Sequence, residues 1–598
     1  MKESEIMFNK EQLEAINKNE GCYGVLASAG GGKSTLMVER CRRLVHEEKI
    51  NPKNILITTF TNASAKDLKN KLKNVDCENV DTGTFHSVCQ RILTKCGFDA
   101  YKQLPEYVYT NEFRKIYGGK VNTRDILGYI DFQKNNGISY NDKFIDKDSD
   151  YNEDELREFF KSYENINQQN NILTFTDWLI KATELLKADI CGLLDEFRYE
   201  YIMVDEHNDS NKIQNELIKL LCPSGNIMCV FDYRQCMYKF RGSDPIYCIY
   251  FDKYFENAEN LSVSINYRSS KNIIEHSNGF ARKYYGNFET YKDAIPNSQE
   301  NGEIVRFNSI DRNEEAILIV DKIIRLLENG TNPNQIAILY RNNKDIFNIE
   351  NELKINNIPY VITGNGSNFF DRKEINFILS ILRLMLNSND DDAFESVFES
   401  RYDNNLKFLS NDVLRKIEKL SIEKNISLYD ASELISFDKQ WQRSNIERFK
   451  KMINTLNDGD YDLKTIIYKI ISLTKIKDNI YEKTTSKEDY EEKMQAIDML
   501  IGFVRNNTIK SFIDFVYNNK AKSKSNKNGI ICSTMHGSKG LEWDNVFVIG
   551  LDNKFPNEET NDIVTEINCF YVAITRPRKN LYLSEIGYNR FVEEYFEI

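Results

Sequence analysis

The chain reads as an α/β protein with two parallel sheets, each interrupted by a long and mainly helical insertion, and three observations carry that reading. An apolar run, Tyr23-Gly24-Val25-Leu26, passes through small residues into a helix-like stretch from Thr35 to Leu44, which makes a strand–loop–helix unit. Short runs rich in β-branched and aromatic residues alternate with helical periodicity. Two long segments, about Phe98 to Arg198 and about Asn387 to Asn519, lack such runs and carry Leu, Ile and Lys at helical spacing.

Taken in order, Ile55–Phe60, Tyr201–Val204, Ile227–Phe231 and Leu261–Ser264 are the expected strands of the first sheet. Glu303–Phe307, Ile336–Tyr340, Ile530–Thr534, Val546–Gly550 and Asn580–Leu583 supply the second. Strands that alternate with helices form doubly wound parallel sheets. The expected domains are therefore 1–98 with 197–275, interrupted by a helical insertion at 99–196, and 276–388 with 520–598, interrupted by a second at 389–519. The polar stretch Lys520–Gly529 reads as a solvated, flexible connection.

Composition narrows the class. With 598 residues the chain has room for several domains, each with its own core. It contains no apolar run of about 18 residues, and Met1-Lys2-Glu3-Ser4-Glu5 opens no signal region, so a cytoplasmic protein without a membrane partner is expected. The 12 cysteines are scattered, with no CxxC pair, and read as reduced. A net charge of −12 excludes a polycation that coats nucleic acid, but leaves room for a basic groove. Of the five histidines, His86, His207 and His536 fall within motifs, and none has a second His at metal-ligand spacing.

The chemistry starts at Ala27-Ser28-Ala29-Gly30-Gly31-Gly32-Lys33-Ser34. Small residues let the backbone wrap a phosphate, the helix N-terminus adds partial positive charge, Lys33 reaches the β- and γ-phosphates, and Ser34 suits Mg²⁺. Val204-Asp205-Glu206 then places two carboxylates after an apolar strand. Asp205 suits Mg²⁺ and Glu206 suits polarising the attacking water.

Further motifs follow in a fixed order. Phe8-Asn9-Lys10-Glu11-Gln12 precedes the loop, and Thr59-Phe60-Thr61-Asn62 and Gly83-Thr84-Phe85-His86-Ser87 follow it. Next come Asp232-Tyr233-Arg234-Gln235-Cys236-Met237-Tyr238-Lys239-Phe240-Arg241-Gly242 and Asn266-Tyr267-Arg268-Ser269. Far downstream stand Thr534-Met535-His536-Gly537-Ser538-Lys539-Gly540-Leu541-Glu542-Trp543 and Tyr571-Val572-Ala573-Ile574-Thr575-Arg576. In order and over nearly the whole chain, this set resembles the superfamily 1A helicases of the UvrD/Rep/PcrA type.

The resemblance implies two RecA-like motor domains with ATP in the cleft between them. It makes Lys33, Asp205, Glu206, Gln235, Arg268 and Arg576 the catalytic groups, with Mg²⁺ on Ser34 and Asp205. Nucleotide would lie on Ala29, Gly30, Gly31, Gly32, Lys33, Ser34 and Thr35, with Gln12 reading the adenine, Tyr267 stacking on it and Glu542 meeting the ribose. Phe60, Tyr238 and Phe240 would stack on bases of single-stranded DNA, with Asn62, His86, Arg241 and His536 nearby. Asp177 resembles a family element of the first insertion. The implied activity is 3′→5′ translocation on single-stranded DNA and unwinding at single-strand/duplex junctions, in repair, replication or phage defence. The alternative is a DNA-gated ATPase that loads or signals to a partner nuclease with little unwinding of its own.

Some positions depart from the family pattern. His207 and Asn208 stand where an apolar residue and Gln are usual, Phe231 where Gly is, Cys236 where Ser is, and Ile567 and Asn568 where Arg is frequent. The shorter Asn208 amide is expected to weaken the link between the hydrolysis site and the segment carrying Gln235. No Gly-rich duplex-contacting hairpin is evident around Leu409-Ser410-Asn411-Asp412.

Overall fold

The computed structural model describes residues 7–98, 104, 106–118, 121–147, 149–239, 242–363, 369–403, 405–484, 487–504, 508–525, 528–557 and 562–597. It divides into two compact units, residues 1–310 with 538–598, and residues 311–537.

The first unit is built on a six-stranded parallel sheet: β1 (Cys22–Ala27), β2 (Ile55–Thr58), β3 (Asp81–Gly83), β4 (Tyr201–Val204), β5 (Ile227–Phe231) and β6 (Ala258–Val263). Their order is β3-β2-β4-β5-β1-β6. Strands β1, β2, β4 and β5 are buried throughout, which is why they read as continuous apolar runs rather than alternating ones. The register pairs Thr58 with Val204 and Val204 with Cys229, so the loops leaving β2, β4 and β5 open on the same edge as the phosphate loop leaving β1. Ligands of such sheets bind at this carboxyl edge. A short parallel pair, β7 (Ile265–Asn266) and β8 (Ile295–Pro296), follows.

Between β3 and β4 lie the helices Glu106–Tyr117, Thr123–Asn135, Glu153–Gln169 and Phe175–Ala188, the first three packed around Tyr109, Phe113, Ile126, Phe159 and Phe160. Asn152 and Thr174 start two of them with capping boxes. Asp177 accepts from the Thr174 N–H and hydroxyl through one oxygen and pairs with the buried Lys134 ammonium at 2.5 Å through the other. Its role here is a helix cap and an ion pair.

The first unit also holds β9 (Ile304–Ser309) and, from the far end of the chain, β13 (Trp543–Leu551) and β14 (Pro577–Ile586), with β14 parallel to both. Helix Ile563–Ile574 between β13 and β14 is buried from Thr565 onward. The second unit carries β10 (Ile336–Tyr340), β11 (Tyr360–Ile362) and β12 (Ile530–Thr534) in the parallel order β11-β12-β10. Helices from Asp391 to Ser525 follow one another without an intervening strand among the described residues. The expected flexible connection at Lys520–Gly529 is corrected in part. Helix Ile509–Ser525 runs through its first six residues, because Lys, Ala and Ser tolerate a helix and no Gly or Pro interrupts before Gly529. Among the described residues no helix is long and apolar enough to cross a membrane.

In the loop after helix Asp391–Ser400, Asp403 is fully buried. One carboxylate oxygen accepts from the Asn405 and Leu406 N–H groups, while the other has no hydrogen-bond partner. Burial pushes its carboxyl up to about 6. A raised carboxyl pKa favours the folded state below the unfolded value near 4, and that advantage is lost as pH rises through 6. Asp403→Asn keeps the turn acceptor and cannot ionise. Urea unfolding at pH 8 should show it more stable than wild type by about 1–3 kcal/mol, with the difference vanishing near pH 4.

Candidate nucleotide site

β1 ends at Ala27, and the chain crosses the sheet edge to helix Lys33–His46, whose N-cap Gly32 has φ +78°. Gly30 also has positive φ, at +71°. A Cβ on Gly30 would stand 2.6 Å from both the Arg268 Cβ and the Asn266 Oδ1, so this glycine is required by both backbone and neighbours. The loop walls a cavity of about 400 Å³ that Ala29 to Thr35 line together with Asp205, Glu206, Gln235, Tyr267, Arg268, Glu542 and Arg576. Gly540, within the Thr534–Trp543 motif, and Lys71, which no feature of the sequence marks, complete the lining.

Beside the phosphate loop, Gln12 is engaged at both ends of its amide. Its Oε1 accepts from the Asn9 N–H at 3.0 Å and its Nε2 donates to the Gly31 carbonyl at 3.0 Å. Asn9 caps the same helix by accepting from the Gln12 N–H and donates through Nδ2 to the Tyr267 hydroxyl at 2.9 Å. Tyr267 is half-exposed, and its N–H donates to the Gly30 carbonyl. One cap therefore joins the aromatic platform to the phosphate loop.

On the hydrolysis side, Glu206 has left-handed backbone at φ +51°, unusual for a residue with a side chain and a mark of functional sites. Its carboxylate lies 3.9 Å from Lys33 Nζ and 3.7 Å from Lys539 Nζ, and Oε2 has no hydrogen-bond partner. Burial would raise this carboxyl, but Lys33, Lys539 and Arg576 outweigh it and hold it below its ordinary value. Burial and the adjacent Glu206 push Asp205 up to about 6. The next residue, His207, is fully buried with neither ring nitrogen bonded. It packs against Phe231, Phe251 and Phe255 at centroid distances of 6.2, 5.8 and 6.0 Å. Two departures from the family pattern, His207 and Phe231, thus share one aromatic cluster.

Asn208 keeps a link to the segment that carries Gln235. Its Oδ1 accepts from the Asp232 N–H at 3.2 Å and its Nδ2 reaches the Gln235 carbonyl at 3.4 Å, because the Asp232–Gln235 turn folds back over it. Within that turn Asp232 accepts from Arg234 Nε at 2.7 Å and from Gln235 Nε2 at 2.9 Å. Asn568, another departure, donates to the Cys236 carbonyl at 2.9 Å and accepts from the Tyr285 hydroxyl at 2.5 Å. Helix Ile563–Ile574 thereby fastens the turn that presents Gln235.

Three arginines approach from the chain's later segments. Arg576 is buried and donates to the Val572 and Leu541 carbonyls and to Gln235 Oε1 at 3.2 Å. No carboxylate lies within 4 Å of it among the described residues, and burial, aided by Arg268, lowers it to about 9. Arg268 pairs with Glu542 and donates to the Thr575 carbonyl at 3.1 Å. Arg578 also pairs with Glu542, at 2.8 Å. Burial opposes ionisation of Glu542, but Arg268 and Arg578 hold its carboxyl below its ordinary value.

Lys539 was missed as a functional residue, although it lies inside a quoted motif. Its ammonium pairs with Asp209 at 2.5 Å, donates to the Gln235 carbonyl at 2.9 Å and sits 5.8 Å from the Tyr238 ring centroid. Burial would lower its pKa, but Asp209 and Glu206 outweigh that and keep it charged. Tyr238 stacks on Phe60 with centroids 4.8 Å apart, and both rings are only partly buried. Asn62 is exposed at the start of helix Asn62–Lys73, and His86 packs edge-on against the half-exposed Phe175. His536 lies in the second unit, just after β12. Phe240 and Arg241 lie outside the described residues.

A phosphate loop, a paired carboxylate and converging arginines around one cavity define a P-loop nucleotide hydrolase site. The UvrD/REP helicase N-terminal domain matches residues 8–256, and the UvrD-like helicase C-terminal domain matches residues 261–588. The chain belongs to the UvrD-like helicase family. It is similar to the ATP-dependent DNA helicase PcrA of Staphylococcus epidermidis RP62A, 28% identical over 621 residues that cover 96% of this chain and 83% of the relative. It is likewise similar to the protein of the same name from Staphylococcus aureus Mu50, 27% identical over 623 residues with the same coverage.

The Asn9–Tyr267 bond yields a test. Asn9→Ala and Tyr267→Phe each remove it, so each should raise KM for ATP by about threefold to tenfold, the worth of one hydrogen bond, with kcat little changed. The double variant should be no worse than Asn9→Ala, which also loses the cap on the Gln12 N–H. Steady-state kinetics on the three proteins reads this directly.

Proposed function

We propose that the chain is an ATP-driven motor that moves 3′→5′ along single-stranded DNA and opens duplex at junctions. The observation that carries the coupling is Lys539, whose ammonium pairs with Asp209, lies 3.7 Å from Glu206 and approaches the Tyr238 ring of the partly buried aromatic pair. An event at the base-stacking face can reach the water-polarising group through a single side chain. The polarity rests on the family resemblance.

In the reaction, Lys33 and the loop N–H groups bind the phosphates, while Tyr267 and Gln12 seat the base. Glu206, whose Oε2 has no partner at hydrogen-bond distance, accepts a proton from the attacking water. Arg576 and Arg268 meet the charge that spreads over the γ-phosphoryl oxygens; Arg268 must leave Glu542 to do so, and Glu542, still paired with Arg578, turns its other oxygen to the ribose. The oxygen donors of Ser34 and Asp205 line the same cavity and suit Mg²⁺, which would neutralise phosphate charge when bound. Phe60 and Tyr238 offer π-faces to bases without selecting among them.

ATP turnover with and without single-stranded DNA, followed by unwinding of 3′- and 5′-tailed duplexes, tests the proposal. Unwinding of 3′-tailed substrate alone is expected. DNA-stimulated turnover with no strand displacement on either substrate would instead give the DNA-gated ATPase. Lys33→Ala and Glu206→Gln should each lower turnover by at least about 10²-fold, given the charge stabilisation that each group supplies. Thermal unfolding near wild type would confirm that the loss is chemical.

Lys539→Met should abolish most of the DNA stimulation and leave single-strand affinity within about threefold. Phe60→Ala should weaken that affinity by roughly 1–3 kcal/mol. Fluorescence anisotropy with a labelled oligonucleotide, run beside the turnover assay, separates the two effects.

A further inference from the structure

The turn that leaves β5 carries a buried ion pair to which the hydrolysis chemistry gives no part. Asp232 and Arg234 are both fully buried, and neither is among the residues that line the nucleotide cavity. Arg234 grips both carboxylate oxygens: Nε donates to Oδ1 at 2.7 Å and Nη2 to Oδ2 at 3.2 Å, while its backbone N–H also donates to Oδ1 at 3.2 Å. The remaining nitrogen, Nη1, donates to the Lys292 carbonyl at 3.2 Å. Three tyrosine rings surround the guanidinium, with centroids 5.3 Å away for Tyr571, 5.9 Å for Tyr291 and 6.0 Å for Tyr233. Burial would lower the pKa of Arg234, but Asp232 outweighs it. Burial would raise Asp232, but Arg234, helped by Lys33, holds it below its ordinary value.

A buried ion pair adds little net stability over apolar side chains of the same volume. What this one supplies is direction. Clamped by Arg234, Asp232 turns Oδ2 to Gln235, whose Nε2 donates to it at 2.9 Å. A carboxylate only accepts, so the end of the amide that faces it is the nitrogen, and the Gln235 oxygen points the other way. There Oε1 accepts from Arg576 Nη2 at 3.2 Å. Arg576 is otherwise held by the Val572 and Leu541 carbonyls and the Thr575 hydroxyl, so this amide oxygen is one of the acceptors that fix its guanidinium. The path closes on itself, because Tyr571, which lies against Arg234, belongs to the helix Ile563–Ile574 that leads to Arg576.

We propose that Arg234 is a positioning residue of the hydrolysis site, which clamps Asp232 and so orients the Gln235 amide with its oxygen toward Arg576. The proposal rests on the roles given above to Gln235 and Arg576. Without the clamp the amide is free to turn over, and its N–H groups then face the guanidinium, donor against donor. Arg576 is displaced, and the charge that builds in the transition state loses part of its support. The phosphates stay bound, because Lys33 and the loop hold them. The loss therefore falls on kcat rather than on KM.

Steady-state ATP turnover of the full chain with single-stranded DNA tests this. Arg234→Lys keeps the buried charge and gives up the two-pronged grip. It should lower kcat by about tenfold or more, as the loss of a charge-assisted hydrogen bond does, with KM within about twofold of wild type. Asp232→Asn, equal in size to the native side chain, is the second arm, and it decides the matter if thermal melting shows that Arg234→Lys does not fold. Its oxygen must answer the Arg234 N–H and Nε, which cannot turn away, so its amide nitrogen confronts Gln235 Nε2 and the same fall in kcat is expected. Gln235→Ala should fall at least as far, and in that background neither change should slow turnover further, since both act through the amide. Wild-type kcat in Gln235→Ala would remove Gln235 from the hydrolysis site, and the proposal with it. With Gln235→Ala impaired, wild-type kcat in either of the other folded variants overturns the positioning role alone. So does a rise in KM without a fall in kcat, or a further loss in the double variants, each the mark of a merely structural pair.

Discussion

The ammonium of Lys539 is the interaction on which the rest of the site depends. It lies buried among Asp209, Glu206 and the Gln235 carbonyl, with the Tyr238 ring close by. A buried cation without partners would cost several kcal/mol, so its neighbours are held as firmly as it is. The β4 loop supplies the two carboxylates, the β5 turn supplies the carbonyl, and the segment entering β13 supplies the lysine. Three stretches distant in sequence are thereby fixed to one point.

Around that point the supporting contacts form closed loops rather than chains. Asn208 ties the carboxylate loop to the Asp232–Gln235 turn, Asn568 ties the same turn to helix Ile563–Ile574, and Arg576, leaving that helix, returns to Gln235. The side chains that differ from the family pattern are part of this closure. Asn208 reaches the turn at 3.2 and 3.4 Å, and Phe231 and His207 share one cluster with Phe251 and Phe255.

Much of this was legible in the sequence where burial is uniform. Tyr201–Val204, Ile227–Phe231 and Ile336–Tyr340 have the limits that their apolar runs suggest, because strands buried on both faces leave no ambiguity of period. The edge strands Asp81–Gly83 and Tyr360–Ile362 were not legible: three residues are too few to show a pattern. Helix Lys33–His46 was seen two residues short at each end, since a glycine cap gives no side-chain signal. Among the residues that line the cavity, the phosphate loop and the Asp205-Glu206 pair are legible from residue type and order, whereas Gln235, Tyr267, Arg268, Glu542 and Arg576 enter only through the family resemblance. Lys71 enters through neither, because only the packing of its helix brings it to the cavity, and Asn9 read as part of a motif without showing that it would bond Tyr267. Lys539 could have been found by asking which cation would balance two adjacent carboxylates and a buried Asp209.

Arg576 sets the electrostatic character of the cavity in the absence of nucleotide. Its guanidinium is held by carbonyls and an amide oxygen, with no carboxylate within 4 Å among the described residues, so the cavity keeps a positive charge that bulk ions reach poorly. The stacking pair Phe60 and Tyr238, by contrast, is open to water. Mobile salt screens exposed charges far more than buried ones, and polyanion release from a surface follows salt steeply. Added salt is therefore expected to loosen a polyanion held along the water-facing aromatic pair more steeply than an anion held by the buried Arg576.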